Sequence, residues 1–199
     1  HIDLVSRRLL KGEKIPEGEK LFSIFEPYTE WIAKGKQRPQ VELGKKVNIT
    51  TDQHQLIVSY QTVDHQSDSQ LVLALADRLT PLFEIGSWSF DKGYWHPDNR
   101  ALLALVIPEV ILPKKGKCSQ EEAQREADKS FKKLRRQHSA VESNIHSLET
   151  RGLSRCPDRG IAHFRRYVGW AVCAYNLCCI GRKLQAGYRR EAHLLQRAA

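Results

Sequence analysis

SWSFDKGYWHPDNRALLALVIPEVILP, residues 87–113, decides the fold. Its first part, Ser87 to Asp91, reads as a short strand that stops at a glycine turn, Asp91-Lys92-Gly93. Pro97-Asp98-Asn99 then opens a helix to about Leu105, because proline is tolerated in a first helical turn. Glu109 to Pro113 (EVILP) follows as a strand of the buried type. A strand, a helix and a second strand in this order predict an α/β arrangement, with a mixed sheet covered by helices.

Working outward, Leu71, Leu75 and Leu79 recur every four residues and predict a helix over 67–83, capped by Ser67 or Ser69. Before it, Glu42–Thr51 and Gln55–Val63 are β-rich and separated by Asp52-Gln53-His54, which predicts a hairpin. A short helix is expected near Ile2–Leu10, followed by an extended connection, so residues 1–40 form a partly irregular lead-in. After the basic loop Lys114-Lys115-Gly116-Lys117, Ser119 and Glu122 stand at capping-box spacing. One long helix is expected from there to about Leu148. A Cys156-Pro-Asp-Arg-Gly160 turn precedes a last helix, Ile161 to about Leu184, and a frayed basic tail over 186–199.

Charge is unevenly spread. Residues 1–112 carry a net charge of −2 and residues 113–199 a net +11. A basic half beside a near-neutral half suits a polyanion partner, and equally suits a generally basic protein. The five cysteines (Cys118, Cys156, Cys173, Cys178, Cys179) show no framework spacing, which predicts reduced thiols in a cytoplasmic setting. The longest apolar run, Tyr167 to Gly181, is shorter than a bilayer span, and no membrane association is expected. There is no methionine, not even at position 1, so the chain is expected to be a piece of a longer protein.

Two carboxylates stand out. Asp91 lies where a strand ends, the place where open α/β sheets bind ligands, although an aspartate there also serves simply to cap a turn. On the long helix, Phe131, Leu134, His138, Val141, Ile145 and Leu148 form the expected core-facing stripe. Glu142 lies one step off it, on a polar seam with Arg135, Ser139, His146 and Glu149. Two-metal phosphoryl transfer needs such hard oxygen ligands from separate elements, but spacing alone leaves many pairs open. No phosphate-binding glycine loop, no G-x-S-x-G elbow, no H-E-x-x-H and no zinc pattern is present.

The segment SFDKGYWHPDN (89–99) resembles the aspartate motif of the DDE transposases of bacterial insertion sequences. RRQHSAVESNIHSLETRGLSRCPDRG (135–160) is similar to their glutamate helix and the arginine-rich turn after it. FRRYVGWAVCAYNLCCIG (164–181) is similar to their closing helix with its Asn-Leu element. FSIFEPYTEWIAKGK (22–36) and VELGKKVNITTDQ (41–53) resemble the region before and along their second strand. The ordered set is far more specific than any single motif.

The resemblance implies an RNase H-like fold, with a mixed sheet flanked by helices over 41–185 and the first strand or strands lacking. It implies a DNA transposase using Mg²⁺ or Mn²⁺ at a two-metal site, with Asp91 and Glu142 as catalytic and metal-binding residues. The family's first aspartate has no match here. Asp3 lies in a helical stretch and Asp52 in a hairpin turn, so that residue is expected upstream of His1 and the chain is expected to be an incomplete catalytic core. The Tyr and Lys that flank the Glu in many relatives are replaced by Arg135 and Glu149. Double-stranded DNA, as transposon ends and target, is the implied partner, bound by a homodimer in the nucleoid. Lys92, Lys114, Lys115, Lys117, Arg135, Arg136, His138, Arg155 and Arg159 are the candidate DNA contacts. A simple RNase H-like nuclease, or an inactive fragment that only binds DNA, are the alternatives.

Overall fold

The structure, a computed structural model, describes residues 1–33 and 40–198, with side chains as far as Glu191. In chain order its elements are α1 (Ile2–Val5), β1 (Glu30–Ala33), β2 (Val41–Gly44), β3 (Lys46–Thr51), β4 (Ile57–Val63) and α2 (Asp68–Leu79). There follow β5 (Ser87–Ser89), α3 (Pro97–Val106), β6 (Glu109–Ile111), α4 (Gln120–Ala127), α5 (Lys129–Leu148) and α6 (Ile161–Ala198). The chain divides into two compact units, residues 1–64 with 147–199, and residues 65–146.

In the first unit, α1 continues as a wide π-helical turn over Ser6–Leu10, so the expected amino-terminal helix is present. The expected hairpin is also present. β3 and β4 pair antiparallel, with a bulge at Thr50/Thr51. Asp52 makes the turn, its Oδ1 accepting from the amides of His54 and Leu56 at 2.8 Å each. The first residues of the predicted strand depart from expectation. Val41–Gly44 pairs with β1 in a separate antiparallel ladder, Glu30 opposite Gly44. The predicted lead-in therefore contains a strand, which its Glu-Trp-Ile-Ala sequence does not announce. Part of the family-like segment 22–36 lies in 34–39, outside the described residues.

The core of this unit is Ile57, Leu148, Val172, Tyr175 and Cys179. Asn176 joins α6 to β4: its amide Oδ1 accepts from the Ile57 amide at 2.9 Å and its Nδ2 donates to the Ile57 carbonyl at 3.0 Å. α5 ends at Leu148 in a wide π-helical turn, Glu149–Leu153, in which Gly152 takes φ 114° and its carbonyl accepts from the Tyr167 hydroxyl at 3.0 Å. The tail expected to fray is helical, since α6 continues to Ala198. The residues after Gly187 include the good helix formers Arg, Ala, Leu and Gln, and one internal glycine costs only about 1 kcal/mol.

In the second unit β5 and β6 pair in parallel, Trp88 opposite Val110, with α3 as the crossover that parallel neighbours require. Val72, Ala76, Phe90, Leu103, Ile107 and Leu112 form its core. Each buried Leu or Ile there contributes about 1.5–3 kcal/mol. Ser67 caps α2 in a box with Gln70, so the serine expected as a cap fills that place. The described strands thus pair two by two, β1 with β2, β3 with β4 and β5 with β6. The single mixed sheet expected of an RNase H-like fold is not traced by these pairings.

The long helix expected from Ser119 to Leu148 is broken. α4 keeps the Ser119/Glu122 capping box, but Asp128 leaves helical geometry, with ψ 145°. Its carboxylate accepts from the amides of Ser130 (2.7 Å) and Phe131 (3.2 Å) and so starts α5 afresh. Those backbone bonds hold the Asp128 carboxyl below its ordinary range. The expected stripe of α5 is buried or half-buried at Phe131, Leu134, His138, Val141 and Leu148 and departs at one position. Ile145 is 42% exposed, and Asn144, 2% exposed, occupies the inward position.

Candidate active site

Asp91 stands two residues beyond β5. The Phe90 amide donates to the Ile111 carbonyl at 2.9 Å, which extends the parallel ladder to the residue before it. The chain then turns through a 3₁₀ turn, Lys92–Tyr94. Asp91 Oδ1 accepts from the Lys92 amide at 2.7 Å, so the aspartate does cap its turn. The carboxylate is exposed, and its other oxygen makes no hydrogen bond among the described residues.

The whole 89–99 motif holds this turn in place. Phe90 is buried and packs on Trp88 and Tyr94, at ring separations of 4.9 and 5.7 Å. Gly93 passes so close to α2 that a Cβ would lie 2.8 Å from Asp68 Oδ2. Asn99, buried in the first turn of α3, donates to the Ser69 carbonyl at 2.6 Å and to the Tyr94 carbonyl at 3.3 Å. One side chain thereby fixes the turn between α2 and α3. In the sequence the asparagine is only part of a helix start; its burial is the signal that identifies it as a clamp.

Glu142 is exposed on α5, four residues after His138 and so on the same helix face. His138 is half-buried, and the Ser89 backbone acts on its imidazole. Burial holds its pKa below the usual value, while Asp91, Glu142 and the Ser89 backbone act in the opposite direction. Both candidate carboxylates therefore act on one ring. The two carboxylates come from different elements, Asp91 from the turn after β5 and Glu142 from α5. Hard oxygen donors so placed fit a divalent ion in part. Among the described residues no third His, Cys, Asp or Glu joins them in a metal-binding group.

The candidate DNA contacts are in different states. Lys92, Lys115, Lys117 and Arg136 are exposed and have no ion pair among the described residues. Lys114 is engaged, its Nζ 3.1 Å from Glu122 Oε1 and 4.7 Å from the centre of the Trp95 ring. Arg125 also approaches that ring, at 6.0 Å, and donates to the Leu112 carbonyl at 3.1 Å. Arg135 lies 3.6 Å from Glu126. His138 is half-buried. Arg155 and Arg159 belong to the other unit; both are exposed, Arg159 over the ring of Phe25.

No helix among the described residues is long and apolar enough to cross a membrane. Comparison with curated proteins and with solved structures gives no match. A family model described as Transposase DDE domain matches residues 12–177, a span that includes Asp91, His138 and Glu142, and the chain belongs to that family.

Proposed function

We propose that this chain belongs to the catalytic core of a DNA transposase, in which Asp91 and Glu142 are two of the metal-binding carboxylates. The observation that carries the reading is that both carboxylates, carried by different elements, act electrostatically on the half-buried His138. Membership of the transposase DDE-domain family supports it. Asp91 and Glu142 would hold Mg²⁺ or Mn²⁺ through their oxygens, and such ions supply charge neutralisation at phosphorus and activation of the attacking oxygen.

The remaining work falls to the chain itself. The Phe90–Asn99 turn fixes Asp91, and α5 fixes Glu142. His138 ties the two elements together through Ser89. Lys92, Lys115 and Lys117 are exposed cations available to phosphate oxygens. The reaction is in-line displacement at phosphorus. Water adds, the bond to the 3′ oxygen breaks, and the freed 3′-hydroxyl then displaces a 3′ oxygen in target DNA. Positioning and charge stabilisation suffice, with no covalent protein intermediate. Assembly as a homodimer on paired transposon ends belongs to the same proposal.

The test uses a plasmid carrying the element's own termini, together with Mn²⁺ binding followed by electron paramagnetic resonance. Asp91→Ala and Glu142→Ala are each expected to abolish metal-dependent cleavage and to weaken Mn²⁺ binding while leaving the protein folded. Undiminished cleavage by either variant overturns the assignment. Cleavage without joined donor–target products identifies a nuclease instead.

A further inference from the structure

Lys129, Lys132, Lys133 and Arg136, with Gln137, line one shallow depression along the first two turns of α5. All four cations are exposed. None forms an ion pair among the described residues; Asp128 adjoins Lys129 in the chain. Their basic neighbours differ: Lys114 has Glu122, and Arg135 has Glu126.

This arrangement is unfavourable for folding. Like charges three and four residues apart on a helix repel by about 0.2–0.5 kcal/mol per pair. Cations in a first helical turn also oppose the helix dipole. A row of this kind gains only when an external polyanion neutralises it. From Lys129 to Arg136 the row rises about 10 Å along the axis, at about 1.5 Å per residue. A regular array of phosphates matches that spacing better than a single anion does.

The row also lies on a different side of α5 from the carboxylate site. At about 100° per residue, Lys132 and Arg136 are rotated from Glu142 by about 80° and 120°, and Lys129 and Lys133 by more. A phosphate held here is therefore not the one held at Asp91 and Glu142. We infer that the Lys129–Arg136 row is a docking surface for the backbone of duplex DNA flanking the reacting phosphodiester. The inference rests on the transposase reading only for its choice of polyanion.

The test is DNA affinity as a function of salt, with metal absent. Lys129→Gln/Lys132→Gln/Lys133→Gln/Arg136→Gln is compared with the unaltered protein on duplexes with and without the element's termini. Removing one phosphate-binding cation flattens the plot of log affinity against log salt by about 0.9, so removing the full row flattens it by up to about 3.6. The expected drop in affinity is equal on both duplexes. An unchanged slope, or a drop confined to the terminal sequence, overturns the inference. If the fourfold variant melts earlier, Lys132→Gln/Arg136→Gln carries the same test, with a flattening of about 1.8. Asp91→Asn/Glu142→Gln keeps the full slope under this inference, whether or not those residues bind metal, so the two readings fail separately.

Discussion

The imidazole of His138, on α5, is acted on by the backbone of Ser89, the last residue of β5. That interaction links two elements that each carry one candidate carboxylate close by, Asp91 two residues after Ser89 and Glu142 one helical turn after His138. Replacing His138 by Ala is expected to cost about 1 kcal/mol of stability, as for a typical hydrogen bond. It is also expected to weaken Mn²⁺ binding about tenfold, as removal of a residue that orients metal ligands does. His138→Gln, which keeps an N–H donor, is expected to recover part of the binding. Unchanged Mn²⁺ affinity in His138→Ala would remove the positioning role.

His138 also gives stability a pH dependence of known sign. Its folded pKa is lowered, chiefly by burial, from the usual 6.5. The unfolded chain therefore takes up the proton first, and stability is lost as pH falls from about 6.5 toward the folded pKa. Urea unfolding of the protein and of His138→Gln, compared between about pH 8 and pH 5, is expected to show a smaller acid loss in the variant.

Asn99 is 5% exposed and supplies both hydrogen bonds of the clamp. Asn99→Leu would leave the Ser69 and Tyr94 carbonyls without that donor, at a cost of about 2–3 kcal/mol in urea unfolding. Asn99→Asp, which replaces the donor by an acceptor, is expected to destabilise as well. Either variant at wild-type stability would refute the clamp.

Gly93→Ala places a methyl group 2.8 Å from Asp68 Oδ2. Overpacking of this kind costs about 1–3 kcal/mol when the neighbour cannot yield. Since the neighbour is a side chain, Asp68→Ala is expected to rescue Gly93→Ala. A double-mutant cycle with a coupling near zero would show that the close approach carries no energy.

Asn176→Ala removes both side-chain bonds to Ile57. The expected signature is local: faster hydrogen exchange at the Ile57 amide, with about 1–2 kcal/mol of stability lost. Exchange that stays slow would mean that α6 packing alone protects the strand.

The elements around the candidate site are legible in the sequence because their punctuation is chemical. Ser67 with Gln70, Ser119 with Glu122, and Pro97 after the glycine turn each mark a helix start by a bond or a ring. Asp128 is not legible for the opposite reason. The residues on both sides are good helix formers, and an internal aspartate announces a break only once its carboxylate has captured the amides of Ser130 and Phe131. β1 escapes a sequence reading because strand pairing is set by a partner distant in sequence, here Val41–Gly44.

Within the candidate site, the motifs around Asp91 and Glu142 single them out, and periodicity puts His138 on the inward stripe. Periodicity cannot name a polar partner, so the link between His138 and Ser89 emerges only from the fold. The same holds for Ile145 and Asn144. One residue of helical phase separates them, and periodicity resolves no finer than that.

Both backbone groups of Ile57 are taken by one amide of α6, at the start of a strand whose other side pairs with β3. A strand edge with open groups is a template on which another chain can add. At Ile57 that template is already occupied by Asn176. Asn176 of the closing helix therefore closes that point of the strand edge to a further chain.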